Sequence, residues 1–118
     1  MSDHESEATY YEIGYFYRVL DPTEKLNERL ILSCPKGLLE IKDRRDMAGK
    51  VALVSLIEDH DYEWLIEIAQ TDSEWKAKAE LYVSLVTESP SSGAQIPKFV
   101  SRLIQRAGGG IYFSFTVV

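Results

Sequence analysis

The stretch Lys76-Ala-Lys-Ala-Glu-Leu-Tyr-Val-Ser-Leu-Val-Thr87 alternates without a break: Ala77, Ala79, Leu81, Val83 and Leu85 fall on one side, and Lys76, Lys78, Glu80, Tyr82, Ser84 and Val86 on the other. A period of two marks a strand with one face toward a core. Downstream, Ser89-Pro-Ser-Ser-Gly93 is a loop by composition, and Pro97 opens an amphipathic helix. Its apolar residues Ile96, Phe99, Val100, Leu103, Ile104 and Ala107 recur at helical spacing, while Lys98, Arg102, Gln105 and Arg106 hold the other side and Gly108 ends it. Alternation returns from Ile111 to Val118, with Ile111, Phe113, Phe115 and Val117 on one face and Tyr112, Ser114, Thr116 and Val118 on the other. The span between Thr87 and Ile111 holds a loop, a helix and a return, which is what a crossover needs, so the two strands are predicted to be parallel.

Working toward the N-terminus, Tyr10 to Leu20 reads as a first strand, with Tyr11, Ile13, Tyr15, Tyr17 and Val19 on one face and Glu12, Phe16 and Arg18 on the other. Asp21-Pro22-Thr23-Glu24 predicts a helix start with Asp21 as N-cap, and Leu26, Leu30, Ile31 and Cys34 form its apolar stripe before Pro35 and Gly37 stop it. Leu38 to Ile41 reads as a brief strand or a continuation turn. Lys42 to Lys50 is an exposed connection of mixed charge, and Val51 to Ile57 is a strand. Tyr62 to Ala69 sets Tyr62, Trp64, Ile66 and Ile68 against Glu63, Leu65 and Glu67, a strand pattern joined to the previous one by the hairpin loop Glu58-Asp59-His60-Asp61. A helix across 61–70 competes, because Glu, Leu and Ala favour helices.

The elements assemble into an α+β domain: a mixed, largely antiparallel sheet with two helices on one face, ferredoxin-like or a related split βαβ arrangement. Residues 1–8 are expected to be a mobile acidic tail and 9–118 a single domain. No internal repeat is visible.

The chain of 118 residues carries 13 Lys and Arg against 19 Asp and Glu, a net charge of −6. That balance disfavours nucleic acid and anionic membranes as partners, since both are held by clustered cations. No apolar run approaches the ~20 residues of a membrane span. The segment Met1 to Glu7 has no basic stretch followed by an apolar one, so no signal peptide is expected. Cys34 is the single cysteine, which excludes an intrachain disulfide and makes a reducing cytoplasm the default expectation.

Motifs for catalysis are missing from the sequence: no G-x-S-x-G, no H-E-x-x-H, no P-loop and no G-x-G-x-x-G after a strand. No enzyme activity, no cofactor and no metal are therefore predicted. Gly108-Gly109-Gly110 follows a helix, the wrong end for a phosphate cradle. His60 sits among acids and reads as a solvated loop histidine before it reads as a ligand. Cys34, at a helix end, reads as a core thiol and not a nucleophile. Arg44 and Arg45 beside Lys42 and Lys50 are interspersed with Asp43 and Asp46 and read as a solvated loop.

What stands out is an uninterrupted run of anions. Glu58, Asp59, Asp61, Glu63, Glu67, Asp72 and Glu74 lie between Val51 and Trp75 with no Lys or Arg among them, and Tyr62 and Trp64 are interleaved. Carboxylates around aromatic anchors suit a cationic protein, the charges speeding encounter and the rings retaining it. The same pattern also arises when the rings face a core and the acids face water.

A small acidic domain without catalytic motifs and with such a surface resembles a bacterial immunity protein of the toxin-neutralising kind. The segment Glu80-Leu-Tyr-Val-Ser-Leu-Val-Thr-Glu-Ser-Pro-Ser-Ser-Gly-Ala-Gln-Ile-Pro97, continuing through Leu103 to the last strand, is also similar in pattern to a functionally unassigned bacterial family of small α/β domains. The first resemblance implies stoichiometric blocking of a basic toxin, such as a nuclease, by a monomer or weak dimer. The expected contact residues are Glu58, Asp59, Asp61, Tyr62, Glu63, Trp64 and Glu67. Two other readings compete: a ligand-binding or enzymatic domain with a pocket over Tyr11, Tyr15 and Tyr17, and an oligomerisation module pairing along Ile111 to Val118.

Overall fold

In the computed structural model, residues 11–45, 48–88 and 95–118 are described. The predicted tail 1–8 and the Ser89–Gly93 loop lie outside them. Among the described residues nine elements follow in chain order: β1 (Tyr11–Leu20), α1 (Glu24–Ser33), β2 (Leu39–Asp43), β3 (Lys50–Ser55), α2 (Glu63–Thr71), α3 (Trp75–Lys78), β4 (Ala79–Thr87), α4 (Lys98–Ala107) and β5 (Gly110–Val117).

The five strands form one sheet in the order β2-β3-β1-β4-β5. β1 is central, antiparallel to β3 from Phe16↔Ser55 to Leu20↔Val51 and antiparallel to β4 from Tyr11↔Thr87 to Val19↔Ala79. β2 and β3 form an antiparallel hairpin, and β5 runs parallel to β4, as the crossover length predicts.

Alternation decides the two faces. Tyr17, Val19, Ala52, Val54, Ala79, Leu81 and Val83 turn to one side and are buried with Leu26, Leu30, Leu65, Ile68, Val100 and Leu103 from the helices. Each such valine, leucine or isoleucine removed from water contributes about 1.5–3 kcal/mol before entropy is counted. Trp75 is fully buried in this core, its ring 5.5 Å from that of Tyr17. Opposite lie Phe16, Arg18, Leu53, Glu80, Tyr82 and Tyr112, in register across β3, β1, β4 and β5.

Three expectations need correction. The segment 62–69 is not a strand but the helix α2, burying Leu65, Ile66 and Ile68 together. β3 already has β2 on one side and β1 on the other, so no edge was left for a hairpin partner. Second, the described residues hold four helices, not two laid on one face: the short α3 lies at the end of the sheet, its C-cap Ala79 being the first residue of β4. Third, the N-cap of α1 is Thr23, whose Oγ1 accepts the Leu26 amide at 3.3 Å. Asp21 instead turns the chain at φ 49°, donating its amide to the Lys50 carbonyl at 2.7 Å.

At the end of α4 two glycines are required for different reasons. Gly108 caps the helix at φ 73°, a conformation that costs glycine little. Gly109, at φ 92°, lies so close to β4 that a Cβ would stand 2.6 Å from the Ala79 carbonyl oxygen. This close approach lets β5 start in register beside Glu80.

Candidate functional site

The acidic segment is a loop and the first turn of a helix. After Ser55 the chain leaves the sheet with the Leu56 amide still bonded to the Tyr15 carbonyl, and Asp59 turns it at φ 75°. Tyr62 then closes the loop from within. Its hydroxyl accepts the Ile57 amide and donates to the Ser55 carbonyl, both at 2.8 Å, and burial pushes its phenol pKa up. Asp61 does the work of a cap: its Oδ1 accepts the Glu63 amide at 2.9 Å, and its carbonyl accepts the Trp64 indole N–H at 3.1 Å.

The predicted contact residues therefore separate. Tyr62 is only 7% exposed and its hydroxyl is occupied, so it holds the loop in place and is not a docking ring. Trp64 is half-buried and packs against the core, leaving an edge at the surface. Glu63 is exposed but paired with Arg106 of α4, which it holds above its ordinary pKa. Glu58, Asp59, Asp61 and Glu67 are exposed, and among the described residues none of the four is in an ion pair. Outside the predicted set, Glu74 pairs with Lys78, whose hydrogen bond holds the carboxyl below its usual range.

Beside this loop a groove of about 220 Å³ runs between α2 and α4, lined by His60, Asp61, Tyr62, Glu63, Ile66, Phe99, Arg102, Leu103 and Arg106. The arginines on its far wall set cations opposite the acids. His60 is exposed in it, and no three His, Cys, Asp or Glu residues among the described ones converge to hold a metal ion. Cys34 is the C-cap of α1, half-buried against the core, and burial pushes its thiol pKa up, the opposite of what a nucleophile needs.

Two of the three tyrosines expected to line a pocket hydrogen-bond to backbone carbonyls of the fold. Tyr17 is fully buried and donates to the Gly108 carbonyl at 2.8 Å, and Tyr15 donates to the Gln95 carbonyl at 2.9 Å. The side chain of Tyr11 is outside the described structure.

Tyrosines line a concavity on the opposite face. A basin of about 660 Å³ is bounded by Arg18, Leu20, Val51, Leu53, Tyr82 and Tyr112 from the sheet and by Lys42, Asp43, Arg44 and Arg45 from the β2–β3 hairpin. The Tyr82 and Tyr112 rings stack at 5.6 Å, and the Arg18 guanidinium lies 4.5 and 4.6 Å from their centroids. Glu80 fixes that guanidinium, accepting from its Nε at 2.6 Å and pairing with its Nη2. The basic hairpin, exposed at Lys42, Asp43 and Arg45, shares this basin with aromatic side chains from distant strands. The signal was present in the alternation: Arg18, Tyr82 and Tyr112 all fall on the face away from the core residues of their strands.

The chain matches no family model, no curated protein and no solved structure. No described helix is long and apolar enough to cross a membrane.

Proposed function

We propose that this chain is a cytoplasmic binding protein, not an enzyme, which neutralises a cationic protein in the manner of a toxin-blocking immunity protein. Its docking rim is the loop and helix surface bearing Glu58, Asp59, Asp61 and Glu67, with the Trp64 edge beside it. The observation that carries this reading is that these four carboxylates are exposed and in no ion pair among the described residues, with Glu58, Asp59 and Asp61 on a loop that the Tyr62 hydroxyl pins from inside and Glu67 on the helix that follows. A loop held in one conformation loses less entropy on docking, and carboxylates in no ion pair attract a basic surface over a Debye length of about 8 Å. The scaffold is read as a ferredoxin-like split βαβ unit extended by β5, a reading supported by the order β2-β3-β1-β4 and its antiparallel pairings.

The test is capture of partners from the native host followed by kinetics on the purified partner. A basic protein is expected, and the combined variant Glu58→Gln, Asp59→Asn, Asp61→Asn should associate more slowly and with a flatter salt dependence. Capture of no basic protein, or unchanged rates in the variant, overturns the reading.

One observation favours self-association as a second reading. Ile111, Phe113, Phe115 and Val117 share the face of the buried Leu81, Val83 and Leu85, yet they are 41–59% exposed on an edge strand paired on one side. Native mass spectrometry separates the two: a dimer dispersed by Phe113→Lys supports pairing along β5, and a monomer removes it.

A further inference from the structure

We propose that the open face of the sheet carries a binding site for a small phosphorylated molecule with a flat ring, of the size of a nucleoside diphosphate. The charge count in the basin argues for an anion. Arg18 is neutralised by Glu80 and Asp43 by Lys50, so Lys42, Arg44 and Arg45 remain as three cations with no ion-paired carboxylate among the described residues. Neighbouring guanidiniums that present paired donors suit phosphate oxygens better than a single carboxylate.

The other end of the basin is aromatic, where Tyr112 is half exposed with Tyr82 stacked behind it. Leu20, Val51 and Leu53 form the apolar floor, Val51 in register with Lys42 of the hairpin. Arg18 already occupies ring surface of both tyrosines, and Glu80 holds it there, so this wall is rigid before any ligand arrives. A cationic end and a ring-bearing end define a ligand with a phosphate at one end and a flat group at the other. The basin, about 660 Å³, falls within the range of small-molecule sites. A chain of net charge −6 repels a long polyanion beyond the reach of three local cations, which favours a small ligand over a nucleic acid strand.

The test is calorimetric titration with ADP, with adenosine and inorganic phosphate as partial probes and a short oligouridylate as the polymer. ADP should bind saturably and more weakly as salt rises, adenosine should bind more weakly than ADP, and phosphate should compete. Arg44→Ala with Arg45→Ala, at the hairpin, should weaken ADP by about tenfold or more, and Tyr112→Ala by about fivefold or more. Circular dichroism confirms that both variants are folded, and Leu53→Glu, which sets a carboxylate on the basin floor, should weaken ADP likewise and serves as the second variant should either fail to fold. Asp59→Asn should leave ADP binding unchanged, which keeps this site distinct from the carboxylate rim. No saturable ADP binding at millimolar concentration, equal affinity in the hairpin variant, or tighter binding of the oligouridylate overturns the proposal.

Discussion

Arg106 grips Glu63 across the space between α4 and α2, its Nη1 2.6 Å from one carboxylate oxygen and its Nη2 3.1 Å from the other. Of the seven acids from Glu58 to Glu74, this one is answered by a cation 43 residues away. Its charge is unavailable to a partner, and the pair is exposed to solvent and salt. We therefore expect the double variant Glu63→Gln with Arg106→Gln, which removes both charges of the neutral pair, to leave the rate of partner association and its salt dependence near those of the unaltered chain, whereas Asp59→Asn slows association. The double variant should lower the thermal midpoint slightly at low salt, and the difference should vanish at high salt. Stopped-flow association and thermal melts at two ionic strengths check both statements.

Tyr62→Phe keeps the ring and deletes the two hydrogen bonds that tie Ile57 and Ser55 together. Both backbone groups lose their partner at the mouth of the loop, and the cost should be about 1–3 kcal/mol. Urea unfolding measures it. Amide exchange at Ile57 should rise by a larger factor than exchange in β4, because the loop loosens locally before the sheet does.

Gly109→Ala should destabilise the protein by about 1–3 kcal/mol through its backbone conformation alone, with a further cost from a methyl group placed 2.6 Å from the Ala79 carbonyl oxygen. Gly108→Ala meets no neighbouring atom and bears only the conformational part. Comparing the two unfolding midpoints isolates the clash; equal midpoints would show that the approach of β5 to β4 is not as tight as described.

Burial raises the pKa of Cys34, Tyr17 and Tyr62 alike. A raised folded value means that the folded state holds the proton more tightly than the unfolded chain. The stability contribution is complete below the unfolded values and is lost as pH rises through the folded ones. The urea midpoint should therefore fall from about pH 8.5 upward, where free cysteine and tyrosine begin to ionise. Cys34 should also react with a disulfide reagent more slowly than an exposed thiol at the same pH. On the acid side the sign reverses: the carboxyls of Asp43 and Glu74 are held low by hydrogen bonds from Lys50 and Lys78. Their contribution is present above the unfolded carboxylate range and lost as pH falls through the lowered folded values.

Strands β1, β4 and β5 were legible in the chain because a period of two is a local property, which β1 and β4 turn into one buried face and which β5 carries although neither of its faces is buried. The parallel pairing of β4 with β5 followed from crossover length alone. The stretch 62–69 satisfied two periods at once: Tyr62, Trp64, Ile66 and Ile68 alternate, while Leu65, Ile66 and Ile68 also share a helical stripe. Occupancy of both sides of β3 chose between them. The candidate docking residues divided for a related reason. Burial of Tyr62 and pairing of Glu63 with Arg106 depend on where α2 and α4 meet, and spacing along the chain carries no record of that meeting.

Composition, alternation and helix stripes by themselves determined the α+β class, the places of four of the five strands, the amphipathic helix after Pro97 and the run of anions between Val51 and Trp75. Only the tertiary structure decided which of those anions remain unpaired, which tyrosines face a core, and that the Arg44-Arg45 hairpin stands beside Tyr82 and Tyr112. Periodicity is fixed by the geometry of one element, whereas charge pairing and concavity are set by register between elements far apart in the chain.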